Sequence, residues 1–170
     1  MTRYLHSRLT SRQVPDLLQT ILVAELIAPS QCFWLISPWI SDIPVIDNTA
    51  NTFLALEPSW CRTKIRLAQV LASLTRQGTT VCVATRPDLH NNSFLDTLSV
   101  QADLDYLRLH KADELHSKGI LSDSFYLGGS MNFTFNGITV NQETLSYETD
   151  LATIAEQKLN FRERWGGNLS

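Results

Sequence analysis

The chain has 170 residues, 44% of them apolar and 18% charged, a make-up that excludes collagen-like, coiled-coil and disordered architectures. That length is one domain's worth of chain and can bury a full core without disulfide or metal staples. With 14 Lys plus Arg against 17 Asp plus Glu, no global positive field draws the protein to nucleic acid or to an anionic membrane, so a polyanion would have to be met by a local patch.

The opening stretch MTRYLHSRLTSRQVPDLLQT carries basic residues but no continuous apolar segment, which argues against a secretory leader. No apolar run approaches the roughly 20 residues of a membrane span. Cys32, Cys61 and Cys82 are odd in number and widely spaced, fitting neither a disulfide framework nor a CxxC metal site, and Cys32 and Cys82 lie in apolar runs where a reduced thiol acts as a small core side chain. The expectation is a soluble, cytoplasmic protein without a membrane partner.

Leu17, Leu18, Ile21, Leu22 and Leu26 recur at helical spacing, with Ser11 or Pro15 and Asp16 as a start signal and Pro29 as a stop. Cys32 to Ser37 is a short apolar run stopped by Pro38 and reads as a buried strand. Residues 41–59 lack sustained periodicity and read as a long connection with a short helix around Phe53. Leu67, Val70, Leu71 and Leu74 predict a helix from Thr63 to Gln77 with Gly78 beyond its end, which would put Arg62, Lys64 and Arg66 on a solvated helix face. Thr79 to Thr85, followed by Arg86-Pro87-Asp88 as turn punctuation, reads as a second buried strand, and Asn91 to Val100 as a crossover helix. Alternating strands and helices argue for a mainly parallel sheet covered on both faces. Thereafter come short strands, Tyr106 to Leu109, His116 to Ser122 and Phe125 to Gly128, the last two separated by Asp123 and Ser124 as in a tight hairpin. An irregular stretch follows, then a strand around Leu145 to Glu148 and a closing helix through Ile154, Ala155, Leu159, Phe161 and Trp165.

Among the four histidines, His6, His90, His110 and His116, the last has the most informative surroundings. In HSKGILSD a strand's period of two sets His116 and Lys118 on one face and gives Asp123 the opposite parity, which suits a structural anchor for the hairpin. Gly129, Ser130, Met131 and Asn132 follow, with small residues that permit close backbone approach and with two polar side chains at matching parity. An imidazole, an ammonium, a hydroxyl and an amide together suit a phosphate. The group His110, Asp113, Glu114 and His116 matches no standard zinc spacing and reads as a polar loop, so neither a metal nor another cofactor is expected. Ser37 and Trp39 stand at a strand's C-terminal end, where α/β sheets bind ligands, although core packing explains Trp39 equally well.

HSKGILSD followed by GSMN resembles the HxKxxxxD and GSxN signature of the phospholipase D superfamily, and Asn141-Gln142-Glu143 resembles the NxE element of its small bacterial single-motif endonucleases. The gap between Asp123 and Gly129, Ser124 to Gly128, is one residue shorter than the family's pattern. The resemblance implies an α/β fold, an α/β/α sandwich with a mixed, largely parallel central sheet, in a single domain over residues 1–170. It implies His116 as nucleophile toward phosphorus, Glu143 as the carboxylate that orients it (Glu148 being the second choice), and Lys118, Ser130 and Asn132 as ligands of the phosphate oxygens, without a metal ion. Asp123 and Gly129 are then structural members of the motif.

Such a mechanism needs a second histidine to protonate the leaving oxygen, which in the family comes from a second HxK motif. This chain has one such motif; His110-Lys111-Ala112-Asp113 sets lysine next to histidine and does not reproduce it. A homodimer in which the two copies of His116 meet across a two-fold axis resolves the shortage. The implied activity is that of a metal-independent phosphodiesterase acting on DNA rather than RNA. A whole-chain likeness to phospholipase D-like proteins of bacterial 7-deazaguanine DNA-modification systems implies a modification or defence setting, with partner proteins. Arg62, Lys64 and Arg66 would then be the local patch for the nucleic-acid backbone. A phospholipid hydrolase or transphosphatidylase and a non-catalytic nucleic-acid-binding subunit are the alternative readings.

Overall fold

Two buried strands organise the molecule, and both were legible as apolar, β-branched runs ended by proline. The computed structural model describes residues 2–6, 13–140 and 143–165. In chain order its elements are β1 (Thr2–His6), α1 (Gln13–Ile27), β2 (Cys32–Ile36), β3 (Pro44–Asp47), β4 (Lys64–Arg66), α2 (Leu67–Arg76), β5 (Thr80–Thr85), α3 (Leu89–Gln101), β6 (Leu107–Lys111), β7 (Gly119–Leu121), β8 (Tyr126–Gly129), α4 (Phe135–Thr139), β9 (Thr144–Glu148) and α5 (Leu151–Trp165).

The described strands form a seven-stranded sheet in the order β1-β9-β8-β7-β2-β5-β6, with β3 and β4 as a separate two-stranded ribbon. Alternation along β2 and β5 divides the core. Phe33, Leu35, Val81 and Val83 point to the face covered by Leu18 and Leu22 of α1, Val70 and Leu74 of α2, and Phe94 and Leu98 of α3. Trp34, Ile36, Cys82 and Ala84 point to the other face, where Ile154 and Phe161 of α5 cover them. Phe161 meets Trp34 and Tyr126 edge-on, each at 6.1 Å between ring centroids. Burial of each such side chain is worth about 1.5–3 kcal/mol, so these two clusters fix the α/β/α layering.

The sheet is mixed, as expected, but parallel pairing is confined to β2 with β5 and β5 with β6. The remaining pairings, β1 with β9, β9 with β8, β8 with β7 and β7 with β2, are antiparallel.

Several local expectations are corrected. Lys64 to Arg66 is a strand and not a helix turn, because its exposed-buried-exposed alternation puts Ile65 in the core, and the helix starts only at Leu67. Arg62, Lys64 and Arg66 therefore lie off the helix, although all three are exposed. Arg66 Nε is paired with Asp42 at 3.0 Å, while Asp42 Oδ1 accepts the Ala68 amide at 2.9 Å and so secures the start of α2. The stretch around Phe53 forms successive turns, and the connection also contains β3. Within the stretch read as irregular, α4 is a short helix capped by the Thr134 hydroxyl. The strand expected from His116 is ordered as a ladder only over Gly119–Leu121, with Gly119 opposite Ile36. Two residues beyond Ile36 comes Pro38, which has no N–H to continue the ladder, so His116 and Lys118 are released from sheet pairing.

Candidate active site

The register brings the motif residues to one end of the sheet. Ile36 pairs with both Ala84 and Gly119, Gly119 with Gly128, and Gly129 with Leu145. The segments leaving β2, β5 and β8 and those entering β7 and β9 consequently share one rim, which carries Ser37, Trp39, Arg86, His116, Lys118, Ser130, Asn132 and Glu143. Of the sequence-predicted set, Asp123 lies at the opposite end, in the β7–β8 turn, as does the second-choice carboxylate Glu148, whose register partner is Tyr126 at the start of β8. Asn141 and Gln142 lie outside the described residues.

His116 is exposed and Lys118 half-buried, and Lys118 Nζ donates to the His116 carbonyl at 2.8 Å, which draws the ammonium back beside the histidine backbone. Ser130 is held at both ends: its amide donates to the Thr144 carbonyl and its hydroxyl oxygen accepts the Thr144 amide, both at 3.1 Å. The Ser130 hydroxyl donates to the Glu143 carboxylate. Gly129 has φ +152° and a Cβ there would lie 2.0 Å from the Thr144 carbonyl oxygen, so only glycine lets β8 approach β9 this closely. The Ser37 hydroxyl shares its one proton between the Trp39 carbonyl at 2.8 Å and Asn132 Oδ1 at 3.2 Å, which leaves the Asn132 amide NH2 as the half able to donate to an anion. Ser37, fully buried, also takes the Phe133 amide at 3.4 Å and so ties the end of β2 to the segment after β8.

Sequence reasoning treated Arg86-Pro87-Asp88 as turn punctuation and missed Arg86. Its Nη2 lies 3.1 Å from Nδ1 and 3.2 Å from Nε2 of His116, its Nε donates to the Leu115 carbonyl at 2.8 Å, and its guanidinium carbon sits 5.2 Å from the centre of the Trp39 ring. Arginine offers only donors, and its Nη2 is nearly equidistant from the two ring nitrogens, so the contact holds the ring without selecting which nitrogen carries the lone pair. The available signal was position: Arg86 follows directly on the C-terminal end of a parallel strand.

Asn91 was also missed. Fully buried, it accepts the Ile40 amide at 2.8 Å and donates to the carbonyls of Pro38 at 3.0 Å and Arg86 at 2.9 Å. The Pro38 carbonyl additionally takes the Thr85 hydroxyl at 3.0 Å. One buried amide thus fastens the Trp39 loop to the Arg86 turn. Asp88 accepts the Trp39 indole N–H at 3.2 Å, and the His90 amide, with that indole, holds its carboxyl below the usual range.

At the opposite end the polar groups are paired with one another. Asp123 accepts the Gln31 amide at 2.6 Å and pairs with Lys158 at 2.5 Å. The β7–β8 turn is as tight as expected, with the Ser122 amide bonded to the Phe125 carbonyl at 2.9 Å. Among the described residues no group of three or more His, Cys, Asp or Glu comes together, and His110 instead packs edge-on against Trp165 at 5.6 Å. Cys32 and Cys82 are both free, with their sulfurs 3.9 Å apart. No helix among the described residues is long and apolar enough to cross a membrane.

No protein-family model matches the chain, and no curated protein matches it by sequence. Among solved structures it is similar to NucT from Helicobacter pylori, with a TM-score of 0.65 and 14% identity over 96% of this chain and 94% of that one. It is also similar to Nuc from Salmonella typhimurium, a phospholipase D family member, with a TM-score of 0.63 and 12% identity over 98% and 94%. Polyphosphate kinase from Porphyromonas gingivalis aligns with a TM-score of 0.64 and 13% identity, over 100% of this chain but 26% of that one. The α/β/α sandwich is therefore a phospholipase D-like fold, matched over nearly the full length of the two bacterial proteins.

Proposed function

We propose that this chain is a metal-independent phosphodiesterase that cleaves DNA through a phosphohistidine at His116, working as a homodimer. The observation that carries the reading is the meeting at one rim of an exposed imidazole, an ammonium, a hydroxyl, an amide and a carboxylate in the order of the phospholipase D signature, with the Arg86 guanidinium beside the imidazole. The near-complete structural match to two bacterial proteins, one of them described as a phospholipase D family member, supports it. A DNA-modification or defence setting, in the cytoplasm and with protein partners, is the biological context we infer from the sequence resemblance.

In the proposed reaction a ring nitrogen of His116 attacks phosphorus while the bond to the leaving oxygen breaks. Lys118 and Asn132 bind the non-bridging oxygens, joined by Ser130 when its one hydroxyl proton turns from Glu143 to the phosphate, and together they stabilise the charge that develops in the five-coordinate transition state. Glu143, which accepts the Ser130 hydroxyl, orients the donor set and, through it, the nucleophile. The second copy of His116 protonates the leaving oxygen and then takes a proton from water, whose oxygen displaces the histidine.

The test is hydrolysis of plasmid DNA and of bis(p-nitrophenyl) phosphate in EDTA. Turnover that His116→Ala abolishes is expected. Binding of DNA without any turnover would replace the proposal with a non-catalytic one, and choline release from vesicles with DNA left intact would make the substrate a phospholipid.

A further inference from the structure

We propose that Trp39 and Arg86 form a nucleobase-stacking subsite next to the phosphate site, so that the substrate is nucleic acid with an unpaired base beside the scissile phosphate. The inference rests on the phosphodiesterase reading of the same rim and narrows its substrate class.

Trp39 is set apart from the other tryptophans. Trp60 belongs to one apolar cluster, and Trp34 and Trp165 to the other, whereas Trp39 belongs to neither and is only half-buried. Its surroundings are polar: the indole N–H is given to Asp88, and its own carbonyl takes the Ser37 hydroxyl at 2.8 Å. The loop is fixed rather than loose, because the Pro38 carbonyl collects donors from Asn91 and Thr85. An indole held rigidly by its polar edge, outside the core and at a ligand-binding rim, is a platform.

Arg86 links that platform to the reacting group. Its guanidinium lies over the Trp39 ring at 5.2 Å and reaches the His116 ring at 3.1 Å. A phosphate bound at His116 therefore has an aromatic ring and a planar cation one guanidinium away, within reach of the base on the same nucleotide. Both surfaces accept any base on their faces, and stacking of this kind tolerates sequence while requiring the base to leave its duplex stack.

The deciding measurement is calorimetric binding of thymidine 3′,5′-bisphosphate against the 1,2-dideoxyribose 3′,5′-bisphosphate that lacks a base. Neither contains a cleavable diester, so wild-type protein serves. The base is expected to tighten binding by about tenfold or more. That preference should vanish in Trp39→Leu and persist in Trp39→Phe, which keeps a ring but cannot bond Asp88. Should Trp39→Leu fail to fold, tryptophan fluorescence decides: the thymidine ligand should quench emission in wild type and not in Trp39→Phe. Equal affinity for the two ligands, no binding of either, or a preference that survives Trp39→Leu overturns the subsite. Hydrolysis of methyl p-nitrophenyl phosphate in EDTA is read separately. Its absence in wild type removes the phosphodiesterase reading, while the base preference stands or falls on binding alone.

Discussion

The two ends of the central sheet are built from the same strands and treat their polar groups in opposite ways. Where β7 turns into β8, charge is neutralised: Asp123 is shared between Lys158 and the Gln31 amide, and Glu25, 2% exposed, accepts the Ser30 amide at 2.7 Å. At the other end Arg86 and Lys118 spend their hydrogen bonds on carbonyls and an imidazole, not on carboxylates, among the described residues. Lys118 held in this way keeps its charge for a ligand, while Arg86 shares its own with Asp88, whose carboxyl it helps hold below the usual range. The lesson is that the HxKxxxxD motif spans both ends: its histidine and lysine serve the rim, and its aspartate closes the far turn.

Four substitutions break or sharpen that contrast. The largest effect is expected for His116→Ala, which should lower hydrolysis at least about a thousandfold with little change in Tm, because the exposed ring is bonded only to Arg86 among the described residues. Asn91→Ala should come next. It strands the Ile40 amide and takes one donor from each of the Pro38 and Arg86 carbonyls, which keep the Thr85 hydroxyl and the Asp88 amide, costing about 1–3 kcal/mol in urea denaturation and loosening Trp39 and Arg86 together. Asp123→Asn keeps an acceptor for Gln31 but loses the charge facing Lys158, so about 1 kcal/mol of stability should go while hydrolysis stays within about twofold of wild type. A loss of activity as deep as that of His116→Ala would end the division of the motif between the two ends.

Glu25→Gln should have the smallest effect, and its sign depends on pH. Burial raises the Glu25 carboxyl above its ordinary 4.5, so the folded state favours the protonated form. The stability this group contributes is complete below the unfolded value and is lost as pH rises through the folded one. Glutamine retains the acceptor for Ser30 without a charge, so urea midpoints of the two proteins should coincide at low pH, and the variant should gain as pH rises. The opposite trend would mean that Glu25 is held ionised.

Much of this was legible in the sequence, and the limits have physical causes. The strands Cys32–Ile36 and Thr80–Thr85 and the helices α1, α3 and α5 follow from periodicity because each buries a continuous face. Lys64–Arg66 was mistaken for helix because three residues cannot display a period, and only pairing with β3 makes them a strand. The motif names His116, Lys118, Ser130 and Asn132 through their order along the chain. Arg86, Asn91 and Trp39 carry no such order; their roles arise from loops that tertiary contacts bring together, Trp39 having been no more than a candidate for cleft or core.

The central claim is that one shared site is completed by His116 of both subunits. Its most direct test is the rate of bis(p-nitrophenyl) phosphate hydrolysis in EDTA across a dilution series, with sedimentation equilibrium run on the same samples. The account predicts that activity per chain falls in step with the dimer fraction and vanishes in the monomer. Full activity per chain from a strictly monomeric protein would contradict it.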